Sequence, residues 1–410
     1  MPIVNGLQTT LIRDVNTGLA STLFPRFLQT FFGKICGSTV STALVEPFAF
    51  DGASPLLKRF NGNMDSSLVS TFSLYVPNPI FKNFEEIQRT QFELDQTGTV
   101  RKRTAAIGVR VAQGPDYLLA HRILKGDSET TITFEGTTYN LTFDGVSQYS
   151  ANHVLGPQAA QSNIITGNLP ATKALLAAQD VAVTVQQLWR DLELIISRIA
   201  SFVDDKGAPL FPDFDPEKHL QIVAPPCLRP AGRLAWQMVG AQVGGANGTS
   251  GSSGSTTSIG PTQVAEVLYP GLLQGCPDID SEVAATISPQ FETQYYVNIK
   301  DDYVRPWYFQ RFRPKKGSDF VPAGYDPEAV ADAAIAAAME GLDGPSRVTP
   351  EAADMYAMTI IDTNVGAIGQ NAQRDVVTGE RFFMSGRTRF QVFAGPWFLT
   401  LKIDPTGDSI

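Results

Sequence analysis

The longest regular pattern of apolar and polar positions in the chain lies between Pro170 and Asp204. Val181, Val185, Leu188, Leu192, Ile195, Ile199 and Phe202 follow at spacings of 4, 3, 4, 3, 4 and 3, which puts them on one stripe of a helix. Asn168 can cap the start, Pro170 suits a first turn, and Asp204-Asp205-Lys206-Gly207 closes the end. The pattern predicts one helix over 170–204, about 50 Å long. Such a rod serves as the core helix of a large domain or as a spine with unrelated elements at its ends.

Strand patterns surround it. Phe72, Leu74 and Val76 alternate, as do Ile107, Val109 and Val111. Between them Glu85-Glu86, Arg89 and Arg101-Lys102-Arg103 flank a turn signal at Asp95-Gln96-Thr97-Gly98. So polar a hairpin reads as a solvated loop or as a finger touching a neighbouring subunit. Residues 129–143 form a short β segment, and Leu220–Ala224 a buried strand halted by Pro225-Pro226, with a helix resuming through Ala231, Leu234 and Trp236. In Tyr303–Arg313, Trp307 and Phe309 share one face and Tyr308 and Phe312 the other; with Arg305, Arg311 and Arg313 this strand either packs in a core or presents aromatic and guanidinium groups to another chain. Trp397, Leu399 and Leu401 form a closing strand after a break at Gly395-Pro396.

Three stretches lack such patterning or stand apart. The first 55 or so residues, with Phe24 and Phe27 in a short apolar run, read as an arm that needs a partner surface. Residues 244–260 are a Gly/Ser tract without GxGxxG, GxxxxGK[ST] or lysine, hence a flexible loop and not a phosphate cradle. Residues 318–375 look like an insertion, in which Asp326-Pro327-Glu328 opens an alanine-rich helix ending at Gly341 and Thr349-Pro350-Glu351 opens another.

With 410 residues, 43% of them hydrophobic, the chain can bury a sizeable core in two or three units. A net charge of −9 offers no general attraction for nucleic acid. Cys36, Cys227 and Cys276 stand far apart, suggesting neither disulfides nor zinc, and a reducing cytoplasm fits. The N-terminus lacks the pattern of a signal peptide, and no apolar run of 18 residues occurs to cross a membrane.

Chemistry is sparse. His121, His153 and His219 stand in unrelated contexts and read as surface or hydrogen-bonded residues. Lys34 near Cys36 favours a thiolate slightly, but no histidine lies nearby in sequence. The pairs Glu85-Glu86, Asp204-Asp205 and Asp301-Asp302 suit solvated turns. Asp213, Asp215 and Glu217 lack the DxDxDG spacing of a calcium loop. No catalytic, cofactor or metal site is expected.

Four segments carry a resemblance. Phe143-Asp144-Gly145 with Tyr149 and His153 is one, and Ile222-Val223-Ala224-Pro225-Pro226-Cys227-Leu228 with Ala231 is the second. The third is Arg305-Pro306-Trp307-Tyr308-Phe309-Gln310 with Arg311 or Arg313, and the fourth is Arg389–Gly395 with Trp397. In order and spacing they resemble the major head subunit family of Mu-like tailed phages, over about 80–317 and 376–403. The insertion, Pro396 and the N-terminal arm depart from that pattern.

The resemblance implies an α+β chain of the Hong Kong 97-type capsid fold. It places an N-terminal arm at 1–60, an E-loop hairpin at 61–115, a peripheral domain at 116–224 with a spine helix at 170–204, and an axial domain at 225–300. Residues 301–317 and 376–410 return to the peripheral domain around the insertion at 318–375. It further implies a non-enzymatic major capsid protein that assembles with many copies of itself, as hexamers and pentamers, in the host cytoplasm and resides in the virion. Portal and scaffold or decoration proteins would be partners, and double-stranded DNA would be confined without sequence-specific binding. On this reading the subunit interfaces include Arg101, Lys102, Arg103, Arg305, Trp307, Arg311, Phe24 and Phe27. The alternatives are an encapsulin-like compartment shell, a soluble enzyme without a recognisable motif, or a tail component forming tubes.

Overall fold

The computed structural model describes residues 30–51, 71–88, 90, 94, 98–156, 158–237, 265–280, 285–301, 304–313, 360–362 and 381–406. From the N-terminal side, helix α1 (Phe31–Ile35) runs into strands β1 (Cys36–Ser41), β2 (Val45–Asp51), β3 (Thr71–Pro77) and β4 (Ile80–Gln88), then helix α2 (Thr99–Leu124). Strands β5 (Thr131–Phe134), β6 (Thr137–Asn140) and β7 (Ile164–Pro170) lead to helices α3 (Lys173–Ala178) and α4 (Val181–Ala200). Beyond them come β8 (Leu220–Val223), β9 (Glu266–Leu268), β10 (Cys276–Pro277), β11 (Thr286–Ile287), β12 (Tyr295–Ile299) and β13 (Trp307–Phe312). The described elements end with β14 (Ile360–Asp362), β15 (Arg381–Ala394) and β16 (Thr400–Thr406).

The result is an α+β architecture on two mixed sheets. The first runs β1-β13-β15-β14, with β4 also paired to β15; the second runs β7-β16-β12-β8-β9. Each has a parallel pair at an end, β1 on β13 in the first and both β7 on β16 and β8 on β9 in the second. One core gathers Phe32, Leu118, Leu119 and Ile123 onto Phe309, Phe390 and Val392 of the first sheet, and takes Val223 and Tyr296 from the second. The other packs Leu188, Ile195 and Ile199 of α4 against Ile222, Val297 and Ile403. Strands β8 and β12 thus bury both faces, which is why they read as continuous apolar runs.

The long helix predicted over 170–204 is divided. Pro170 ends β7, and Asn168 lies within that strand instead of capping a helix. Thr172 caps α3 by accepting the Leu175 N–H; the chain then turns extended at Gln179, and Asp180 caps α4 by accepting the Ala182 N–H. Each cap satisfies an otherwise unpaired amide, so the local signals at Thr172 and Asp180 won over the longer stripe. The resulting α4 has 20 residues, about 30 Å. Beyond it, Asp204 and Asp205 are buried, not solvated; Asp204 accepts the Lys206 and Ala208 N–H groups.

A second departure concerns 99–124. The alternation of Ile107, Val109 and Val111 suggests a strand, yet these residues belong to the 26-residue helix α2, entered through Gly98 in a left-handed conformation (φ 66°). The buried positions Val100, Thr104, Ile107 and Val111 have helical spacing. Thr104 hides that pattern from a hydrophobicity reading because it is polar; its hydroxyl donates to the Val100 carbonyl one turn earlier. No hairpin therefore carries Arg101, Lys102 and Arg103. The Phe72, Leu74, Val76 alternation does form a strand, β3, paired antiparallel with β2. Strand β8, the turns through Ala231 and Trp236, and the hairpin of β5 and β6 also follow the sequence pattern. At the closing segment, Trp397–Leu399 form a 3-10 turn and the strand begins only at Thr400. The body also starts earlier than an arm over 1–60 would allow, since Phe32 is buried and β1 joins the first sheet.

One carboxylate fixes α4 to the second sheet. Asp191, fully buried, accepts the backbone and side-chain N–H groups of Asn168, each at 2.7 Å, and the Tyr295 hydroxyl at 3.0 Å. Its approach requires Gly167, where a Cβ would stand 2.9 Å from Asp191 Oδ2 and 2.7 Å from Ile403 Cγ2. Replacing Asp191 by Ala should lower the unfolding free energy of the protein by about 3 kcal/mol, because buried donors lose their acceptor. Tyr295→Phe should cost about 1 kcal/mol. Urea titrations of both variants check this; equal losses would mean that Asp191 does not anchor the helix.

Candidate functional site

The first and fourth sequence motifs meet in one buried node. Gly145, at φ +73°, turns the chain so that Asp144 Oδ2 lies 2.6 Å from His153 Nδ1. His153 Nε2 faces the Gln148 carbonyl at 3.2 Å, and the ring stacks on Trp397 with centroids 4.5 Å apart and planes 4° from parallel. Phe202, just beyond α4, meets the same indole edge-on at 5.4 Å. Asn163 ties the node together, its amide donating to the carbonyls of Gln148, Trp397 and Thr400. The hydrogen bonds of Asp144, His153 and Asn163 all run to groups of the same chain, so the node positions the loop of residues 141–163 on the end of the second sheet. It is a structural joint, closed to substrate.

A second polar cluster closes the end of α2. His121 has Glu129 at 3.0 Å from Nε2 and Asp278 at 3.2 Å from Nδ1. Arg122 bridges Glu129 at 3.0 Å and Asp280 at 2.5 Å, so residues 278–280, which follow β10, are clamped to the helix. Burial alone would raise the Glu129 pKa, but hydrogen bonding and charge from His121, and charge from Arg122 and Lys125, hold it below its ordinary value. His219 receives the Asp215 N–H, and Asp215 caps the short turn Pro216–His219. All three histidines are thus hydrogen-bonded, as their sequence contexts suggest. Asp215 is engaged in capping, and among the described residues no group of acidic, histidine or cysteine side chains has the geometry to hold a metal ion.

Cys36 is not an activated nucleophile. Burial, reinforced by nearby Asp116, pushes its thiol well above the ordinary value. Asp116 itself accepts the Phe32 N–H at 2.8 Å and so secures the start of α1.

The expected interface residues are scattered. Lys102 and Arg103 are exposed on the first turns of α2, and Arg305 is exposed ahead of β13. Trp307 and Arg311 are 1% and 7% exposed, inside the subunit's own core, because β13 is covered on both faces. They are withdrawn as surface groups. Phe24 and Phe27 lie outside the described residues, as do the Gly/Ser tract and the insertion apart from 360–362. What the sequence reading passed over is the outward side of α4. Val181, Val183, Trp189 and Leu194 stand more than two-fifths exposed there. Val181 heads the apolar stripe itself, whereas Val183, Trp189 and Leu194 are apolar positions off it.

The family model of the Mu-like prophage major head subunit gpT matches residues 7–183. Over that span the chain is similar to the Mu-like major head subunit family. The matched span covers α1 through α3, β1 through β7 and the Asp144, His153 and Asn163 part of the first node, and ends at the start of α4. The chain has no match among curated protein sequences. Solved structures similar to it include the mature capsid of bacteriophage PhiM1, at 9% identity and TM-score 0.46 over 93% of this chain and 88% of that one. The capsid of cyanophage P-SCSP1u, at 11% and 0.45, covers 92% and 89%, and that of Mycobacterium phage Patience, at 10% and 0.44, covers 96% and 88%.

Asp116 gives the protein a testable pH dependence. Burial raises its pKa from 3.8 to about 6, outweighing the amides that favour the charged form. The folded state therefore holds this proton more tightly than the unfolded chain, and the stability it adds is complete below 3.8 and lost as pH rises through about 6. The difference amounts to at most about 3 kcal/mol. Asp116→Asn should flatten the fall in stability between pH 4 and 6.5 measured by urea unfolding; an unchanged slope would remove Asp116 as its source.

Proposed function

We propose that this chain is the major capsid protein of a tailed bacteriophage or prophage, with a Hong Kong 97-type fold, assembling into the icosahedral head that encloses double-stranded DNA. The match of residues 7–183 to the Mu-like major head subunit carries this reading. The polar groups of the two nodes support it, since they are spent on holding the subunit's own elements together. Self-association into a shell is the function, and catalysis has no part in it.

In this reading α4 is the spine, and the antiparallel pair β2 and β3 takes the place of the E-loop hairpin assigned to 61–115. The axial domain would run from about 225 to 300, with hexamers and pentamers as the capsomers. Portal and scaffold or decoration proteins are the proposed heterologous partners. Packaged DNA is confined, because a subunit of net charge −9 presents no uniform basic lining. Assembly takes place in the host cytoplasm.

Subunit contacts are assigned to Lys102 and Arg103, with Arg101 beside them, to Arg305, and to the apolar outer side of α4. Contacts of this kind can each be modest, because ring and shell closure makes later ones effectively intramolecular. Negative-stain electron microscopy of the purified protein tests the function: closed icosahedral shells or capsomer rings are expected. A small monodisperse species under all salt and protein concentrations would sink it, and shells enclosing an enzyme cargo without nucleic acid would favour a compartment. Replacing Arg101, Lys102 and Arg103 together by Glu should leave the circular dichroism spectrum intact while abolishing shells; normal shells would remove these residues from the interface.

A further inference from the structure

Near the end of α2 each ring nitrogen of the buried His121 faces a carboxylate. Nε2 lies 3.1 and 3.0 Å from the two oxygens of Glu129, and a carboxylate only accepts, so Nε2 carries a proton. Nδ1 lies 3.2 Å from Asp278 Oδ1 and makes no hydrogen bond, so the contact between them is one of charge. In the imidazolium Nδ1 also carries a proton and attracts Asp278. In the neutral ring the one N–H is spent on Glu129, and Nδ1 turns a lone pair toward a second acceptor. The contact with Asp278 therefore changes sign when the ring loses its proton, and burial leaves little water to screen either state.

Asp278 stands at the outer end of the hairpin of β10 and β11. The hairpin's base, Cys276 paired with Ile287, is buried in the first core, and the Asp278 N–H donates across it to the Ala285 carbonyl at 2.9 Å. Asp278 Oδ1 also accepts the Asp280 N–H at 3.0 Å, which folds residues 278–280 into a turn beside the helix. The turn meets α2 at two points, Asp278 against His121 and Asp280 against Arg122. Arginine keeps its charge at every accessible pH. One tie is thus permanent, and the other follows the charge of His121.

The other charged and titratable groups around this site are Arg122 and Lys125 at the end of the helix, Glu129 in the turn beyond it, and Cys276, Asp278 and Asp280 on the hairpin. Burial, with Asp278 adding to it, raises the Cys276 thiol to about 11, and Glu129 is held below its ordinary value in spite of burial. Among these side chains histidine is the type whose charge changes near neutral pH. Asp116, raised to about 6 by burial, lies earlier on the same helix and holds the start of α1 instead.

We propose that His121 is a pH-dependent latch: as the imidazolium it holds residues 278–280 against α2, and on losing its proton it releases Asp278 and leaves the turn held by Arg122 alone. This assignment stands independently of the capsid reading.

Amide hydrogen exchange of the intact protein tests it, read by peptide mass spectrometry at about pH 6 and about pH 9 and corrected for the intrinsic pH dependence of exchange. Protection over residues 276–280 should fall about fivefold at the higher pH, the scale of one lost ionic contact. Peptides over β8 and β12 should keep their protection. Asp278→Asn keeps the shape of the side chain and the Arg122 tie, and should show no such fall. Undiminished protection of the unaltered protein at the higher pH would overturn the latch, as would a fall of the same size in Asp278→Asn. Asp116→Asn should retain the fall; its loss there would overturn the assignment to His121. Ring ¹⁵N shifts of His121 give a signature that a merely structural histidine would not: both nitrogens protonated at the lower pH, and Nε2 alone at the higher. A ring that keeps one protonation state across the range would sink the proposal whatever the variants do.

Discussion

A buried carboxylate in a helix is the constraint on which the arrangement of this subunit depends. Asp191 has no solvent to face, so its charge must be met by the Asn168 amides and the Tyr295 hydroxyl. Burial raises its pKa, and the three donors oppose that rise. The requirement sets the rotation of α4 about its axis, fixes which residues of the helix reach the core, and demands glycine at 167 beneath it. An apolar stripe alone would allow the helix to slide or roll; a carboxylate with three partners allows one placement.

The same economy recurs at the other joints. His153 stacked on Trp397 fastens a long loop to the second sheet, and His121 with Arg122 fastens residues 278–280 to α2. Residues that often signal catalysis are consumed as fasteners. Polar joints of defined geometry restrict slipping and rolling more than apolar packing alone does. On the outward side of α4 Val181, Val183, Trp189 and Leu194 stand exposed among Gln186, Arg190 and Glu193, so that side is mixed apolar and polar.

How much of this was legible beforehand differs by element. The strand at Leu220–Val223, the double-proline stop and the Phe72, Leu74, Val76 alternation were readable because the pleat imposes a period of two on any half-buried strand. The long helix was legible in its stripe but overextended by reading through Thr172 and Asp180, two caps whose effect depends on a side chain turning back to its own backbone. Helix α2 was misread because one of its buried positions is the polar Thr104. The His153, Asp144 and Trp397 node was visible as separate motifs, although nothing in the order of residues says that they touch.

By itself the sequence determined the class of the protein: an acidic α+β chain without recognisable catalytic motifs, whose residues 7–183 match the Mu-like major head subunit model. Local physics suffices there, since composition, periodicity and motif order are properties of the chain. Tertiary structure alone decided which arginines are buried and which are exposed, and that Trp307 and Arg311 serve the subunit's own core. The physical reason is that burial follows from which strands pair. The pairing of β13 with both β1 and β15, and the covering of its two faces, join residues that stand far apart along the chain.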